Sequence, residues 1–185
     1  MKAFTIALGQ ISSKVGDKKH NIETIRKKAT QARKEEADLI AFPELSLTGY
    51  VVRDRAYELA ELIPAGTSVR EIEEIAKKEQ IHIIFGMIEK NQKASAVLHN
   101  TAVLIGPEGY IGKYQKMYLP THSVFEEKRY FRPGYQTSVF ETKLGTLGML
   151  ICYDIYFPEV ARLLCLKGAQ LLVCISASPS VRRGF

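Results

Sequence analysis

Two rhythms of apolar residues alternate along this chain, and that alternation constrains the fold more than any other feature. Short apolar runs read as strands: FTIALGQI (4–11), DLIAF (38–42), IHIIFGMIE (81–89), TAVLI (101–105), YIGKYQK (110–116), SVFET (138–142), TLGMLIC (146–152) and AQLLVCIS (169–176). Between them, apolar residues recur at helical spacing. Ile22, Ile25, Ala29 and Ala32 do so within 20–37, and Val69, Ile72, Ile75 and Ala76 within 68–80. Ser68 and Glu71 form a capping-box pattern at the start of the second helix. A third helix, 158–167, opens on Pro158 and is followed by Gly168. Glycines at 106–109 and 145 mark tight turns between paired strands. Strands alternating with helices, together with hairpins, predict an α/β layer structure with a mixed sheet.

The 185 residues suit one domain with a substantial core, and no linker, repeat or low-complexity segment divides 1–185. No apolar stretch approaches the roughly 20 residues of a membrane-spanning helix, so no membrane partner is expected. The N-terminus, MKAFTIALGQISS, alternates like a strand and lacks a signal-peptide pattern; a cytoplasmic location is the expectation. The net charge of +6 is spread, and groups such as RKK at 26–28 read as a solvated helix face, which predicts no nucleic-acid partner. The three cysteines form no C-x-x-C pair, and no cysteine–histidine cluster has zinc-ligand spacing. No metal is therefore expected.

Chemistry in an open α/β sheet gathers outside the carboxyl ends of strands. Glu44 follows LIAFP, Cys152 follows GMLI, and Lys116 closes GKYQK and opens a loop of about 20 residues. Each has an ordinary reading: a loop carboxylate, a solvated lysine, a packed cysteine. Cys165 and Cys174 lie in apolar runs and read as core. Cys152 instead precedes a helix, whose N-terminus favours a lowered thiol pKa. Glu159 and Arg162, at i, i+3 on that helix, are placed to pair.

The segments AFPELSLTGY (41–50), GKYQKMYLP (112–120) and LICYDIYFPEVAR (150–162), in that order, resemble the signature segments of the nitrilase superfamily, the carbon–nitrogen hydrolases. VFEEKRYFRPG (124–134) is similar to the loop that carries a further acidic residue of that family, and Glu127 takes its place. The resemblance runs from about residue 3 to 180.

The resemblance implies an α-β-β-α sandwich, a homo-oligomer and no cofactor. It implies a catalytic triad of Glu44 as general base, Lys116 as oxyanion stabiliser and Cys152 as nucleophile, with the backbone N–H of Tyr153 as a second oxyanion donor. Glu127 holds Lys116 or the substrate amine. The implied reaction is hydrolysis of a non-peptide C–N bond in a small amide, carbamoyl or nitrile substrate through a Cys thioester. CYDIYFPE is more similar to the amidase and carbamoylase branches than to the nitrile-hydrolysing one. LPTHSVFEEKRYFRPG also resembles the glutaminase domains that feed ammonia to synthetases, so a glutaminase-type reading stands beside the first. Family members commonly run to some 260 residues, so the sandwich is expected to be incomplete at its C-terminal end. A catalytically incompetent fragment acting as a binding or assembly module is the third reading.

Overall fold

A computed structural model describes residues 3–122 and 125–177. Val124, the first residue of the 124–134 segment, and the basic stretch after Ala177 lie outside the described residues. In chain order the elements are β1 (Ile6–Leu8), α1 (Lys18–Lys34), β2 (Leu39–Ala41), α2 (Ala56–Leu59), α3 (Thr67–Glu79), β3 (His82–Lys90), β4 (Leu98–Gly106) and β5 (Gly109–Gln115). They continue with α4 (Glu127–Tyr130), β6 (Val139–Thr142), β7 (Gly145–Ile151), α5 (Pro158–Leu166) and β8 (Leu171–Ile175).

The strands form two sheets. The first, β1-β2-β3-β4-β5, is parallel through β3 and then antiparallel; the second, β6-β7-β8, pairs β6 antiparallel and β8 parallel to β7. Alternation along β2, β3 and β4 divides their side chains between two cores. Ile40, Ile83, Phe85, Val103 and Ile105 face α1 and α3, packing on Ile25, Ile72 and Ile75. Leu39, Ile84, Ala102 and Leu104 face the other way, against Leu147, Met149 and Ile151 of the second sheet, and Val160 and Leu164 of α5 belong to the same cluster. The layers are therefore α, β, β, α, as the resemblance implies. Strands this apolar suit burial on both sides, and β4 is buried along its whole length.

Several local readings change. β1 is three residues rather than eight, and Leu8 at its end is exposed. The capping box is absent: α3 begins at Thr67, and Ser68 gives its N–H (2.9 Å) and its hydroxyl (2.6 Å) to the Glu61 carboxylate instead. A one-turn helix, α4, occupies the long loop. Glu159 and Arg162 form no ion pair among the described residues. Cys165 and Cys174 are exposed, not core. Helical geometry turns Val160 and Leu164 inward and Cys165 outward, and the alternation of β8 places Cys174 on its open face.

Candidate active site

Four strand ends converge. β2 leads to Glu44, β5 to Lys116, β7 to Cys152, and β8 to Ala177, whose N–H reaches Glu44 Oε2 at 3.1 Å. Parallel pairing of β1–β3 and of β7–β8 aims these ends to one side of each sheet, as expected of an α/β crevice.

Glu44 sits on a tight turn. Leu45 beside it holds a left-handed φ of 50°, and the turn rests on Gly86 of β3. A Cβ at Gly86 would lie 2.2 Å from Leu45 N and 2.9 Å from Glu44 Cα, so only glycine permits this approach. Lys116 is fixed from both sides by backbone bonds: its N–H donates to Asn100 O (2.9 Å) and its carbonyl accepts from Gly134 N (2.8 Å).

The charged side chains lock together away from water. Lys116 Nζ donates to Glu44 Oε1 and to Glu127 Oε1, each at 2.7 Å, and the lysine is fully buried. Asn100 Nδ2 donates to the same Glu44 oxygen at 2.7 Å, and the Tyr50 hydroxyl to the same Glu127 oxygen at 2.5 Å. Burial works against the Lys116 ammonium, but the two carboxylates outweigh it and hold the lysine above its ordinary pKa. Burial raises the Glu127 carboxyl, with Lys116 opposing and Glu44 adding to the rise. Among the described residues, Asn100 Oδ1 and Glu127 Oε2 are buried with no hydrogen-bond partner. Glu44 also lines a cavity of about 660 Å³ with Ser13, Tyr50, Phe125 and Ser176.

Cys152 lies opposite, half-buried, as the first residue of a 3₁₀ turn, Cys152–Tyr156, with φ of 46°. That left-handed conformation in a non-glycine residue costs about 1–3 kcal/mol and is typical of strained functional positions. The expectation of a lowered thiol pKa does not hold. The 3₁₀ turn separates Cys152 from α5, and burial, reinforced by the Glu44 carboxylate, pushes the thiol up, against smaller opposing effects of Ser176 and Lys116. Glu44 and Ser176 are both near enough to the thiol to act on its ionisation. Tyr153, next in the turn, packs its ring edge-on against Phe157 and near His122.

Glu44, Lys116, Glu127 and Cys152 thus come together from segments far apart in sequence. Asn100, Gly86 and Asp154 are the site neighbours that sequence reading passed over. An Asn within the apolar run of β4 and a Gly within that of β3 were the available signals. Among the described residues no group of acidic, histidine and cysteine side chains is arranged to hold a metal ion.

The chain is 36% identical to a probable nitrilase, C965.09, of Schizosaccharomyces pombe, across 94% of this chain and 63% of that protein. Its fold superposes with a TM-score of 0.86 on glutamine-dependent NAD+ synthetase from Acinetobacter baumannii, at 31% identity over 97% of this chain and 33% of that one. It also matches, at TM-score 0.85 and 28% identity, an amidase mutant from Nesterenkonia sp. AN1 carrying a Michael adduct of acrylamide on its active-site cysteine. That match covers 97% of this chain and 69% of the amidase. The chain therefore spans about two thirds or less of the length of these relatives. The family model for carbon-nitrogen hydrolases matches residues 5–183, and the chain belongs to that family.

Proposed function

We propose that this chain carries the catalytic groups of an amidase-type C–N hydrolase acting on small amides or N-carbamoyl compounds through a thioester on Cys152. The observation that carries this reading is the buried Glu44–Lys116–Glu127 cluster facing the strained Cys152 turn.

Because the thiol pKa is raised, Cys152 rests protonated at neutral pH and needs a base at the moment of attack. Glu44 Oε1 already accepts from Lys116 and Asn100, whereas Oε2 accepts the Ala177 N–H and keeps acceptor capacity for the thiol proton. The sulfur bonds to the amide carbon and the carbonyl π pair moves onto oxygen. Lys116, held as ammonium, and the Tyr153 N–H stabilise that oxyanion. The pair returns, the C–N bond breaks, and Glu44 gives its proton to the departing nitrogen, leaving a thioester. Water then repeats the cycle against the thioester carbon with Glu44 again as base. Glu127 keeps Lys116 in place through the 2.7 Å contact.

The same reading takes 1–185 as one carbon–nitrogen hydrolase domain of a cytoplasmic homo-oligomer without cofactor. Exposed Ile155, Tyr156, Leu163 and Leu166 around the Cys152 turn and α5 support association. No helix among the described residues is long and apolar enough to cross a membrane. The likeness to the NAD+ synthetase favours a second reading, a glutaminase-type ammonia donor. Ammonia release from glutamine, simple amides, N-carbamoyl compounds and nitriles tests both. Preference for simple amides supports the first and preference for glutamine the second; release from none leaves the non-catalytic assembly module.

A further inference from the structure

A fully buried carboxylate in the nucleophile turn lies outside the mechanism above. Asp154 accepts four hydrogen bonds. Two come from the strand exit that carries Lys116: Met117 N–H at 3.2 Å and Tyr118 N–H at 2.9 Å, both onto Oδ1. The Tyr114 hydroxyl, from β5 two residues before Lys116, reaches Oδ2 at 2.9 Å. The fourth comes from Ile151 N–H, immediately before Cys152, onto Oδ2 at 3.1 Å. Lys116 belongs to the first sheet and Cys152 to the second. A second contact joins the same two segments, the Tyr118 ring stacked on Phe157 with centroids 3.6 Å apart.

We infer that Asp154 is a positioning residue that straps the Cys152 turn to the Lys116 strand exit, and so sets the separation of thiol and ammonium. A carboxylate is the side chain that fits. It has acceptor sites for all four donors and no donor of its own. Asparagine keeps the shape and still serves Met117 and Tyr118, but its NH₂ meets the Ile151 N–H donor to donor. The strap then opens on the nucleophile side, where catalysis tolerates little displacement. Asp154 touches no reacting atom in this scheme. Its effect passes through Lys116 and Cys152, and the inference rests on the proposed thioester chemistry.

The test compares two reactions of the same sulfur. Acylation of Cys152 by p-nitrophenyl acetate requires an oxyanion to be stabilised; alkylation by iodoacetamide does not. In Asp154→Asn the acylation rate constant is expected to fall about 100-fold, the scale of a 1 Å misplacement, with KM little changed. Alkylation of Cys152 should stay within about threefold, because a general loss of thiol reactivity would alter both reactions while a changed separation of thiol and Lys116 ammonium alters only the one that needs the oxyanion. Tyr114→Phe, which removes a single strap donor, should slow acylation by about tenfold, the scale of one hydrogen bond to a charged group. It decides the matter if Asp154→Asn does not fold. Unchanged acylation in a folded Asp154→Asn, or in Tyr114→Phe where only that variant folds, overturns the strap while the thioester reading stands. Failure of the wild-type chain to acylate Cys152 overturns both.

Discussion

The two sheets bring opposite kinds of wall to the site. The first delivers Glu44 from β2 and Lys116 from β5, on either side of β3 and β4, which are buried along nearly their whole length with Ile83, Ile84, Phe85, Val103 and Leu104 all inaccessible. The second delivers Cys152 between a well-buried β7 and a β8 of which only Ile175 is buried. Both β3 and β8 are apolar in sequence, yet only one is covered among the described residues. Charged groups taken out of water need a rigid surround that supplies partners; Asn100 and Lys116 serve Glu44, and Lys116 and Tyr50 serve Glu127. The nucleophile must meet substrate, and it sits on the more open half.

The comparison breaks first at Glu44. Glu44→Gln keeps the size of the side chain and its place in the turn but cannot take the thiol proton. Turnover should fall by about 10²–10⁴, the range for a general acid–base group, with the thermal melt little moved. Near-normal kcat would remove Glu44 from the chemistry.

Lys116→Met should do two kinds of damage. Losing the oxyanion charge should cost about 10²–10³ in kcat. The substitution also leaves Glu44 and Glu127 buried without their shared cation, and breaking a buried pair costs about 3–5 kcal/mol. Denaturant titration beside kinetics checks both. A variant as stable as wild type would mean that the cluster is more hydrated than its burial implies.

A pair of core truncations sharpens the contrast between the sheets. Ile84→Ala, at a fully buried position, should cost about 2–5 kcal/mol. Leu172→Ala, at a partly open one, should cost about 1 kcal/mol, in proportion to the smaller apolar area it buries. Equal costs at low protein concentration would show β8 covered within the chain. A Leu172 cost that grows with protein concentration would place a second copy over it.

The smallest effect concerns thiol order. Cys165 is exposed and should alkylate ahead of Cys152 at pH 7, because a buried thiol beside a carboxylate is disfavoured as thiolate. The Cys152 alkylation rate should keep rising with pH beyond the ordinary thiol range, since its pKa is displaced upward. Peptide mapping across pH 6–10 reads this, and faster labelling of Cys152 than of Cys165 at pH 7 would contradict the raised pKa.

Much of this was legible in the sequence. Period-2 and helical patterns located β2–β8, α1, α3 and α5 within a few residues, because tertiary burial and local propensity agree there. The strand-end positions of Glu44, Lys116 and Cys152 were legible for the same reason. What sequence could not give was the state of groups whose surroundings come from elsewhere in the chain. Cys152 looked like a helix-activated thiol, but its pKa follows from Glu44 and burial, neither adjacent to it in sequence. Ser68 looked like a cap, but Glu61 competes for it. Cys165 and Cys174 sat in apolar runs, and whether such a run is covered depends on layers, not composition. Asp154 drew no reading from the sequence, because its partners Tyr114, Met117 and Tyr118 lie on β5 and its exit, in the other sheet's half of the chain.

The most direct measurement is to mix the chain with a small amide, quench in acid within the first turnovers, and map the adduct by mass spectrometry. An acyl group on the peptide containing Cys152, absent from Cys152→Ala, with ammonia released in equal amount, is the expected result. Ammonia release that persists in Cys152→Ala, or an acyl group on Cys165 or Cys174 instead, would contradict the thioester chemistry at the junction of the two sheets.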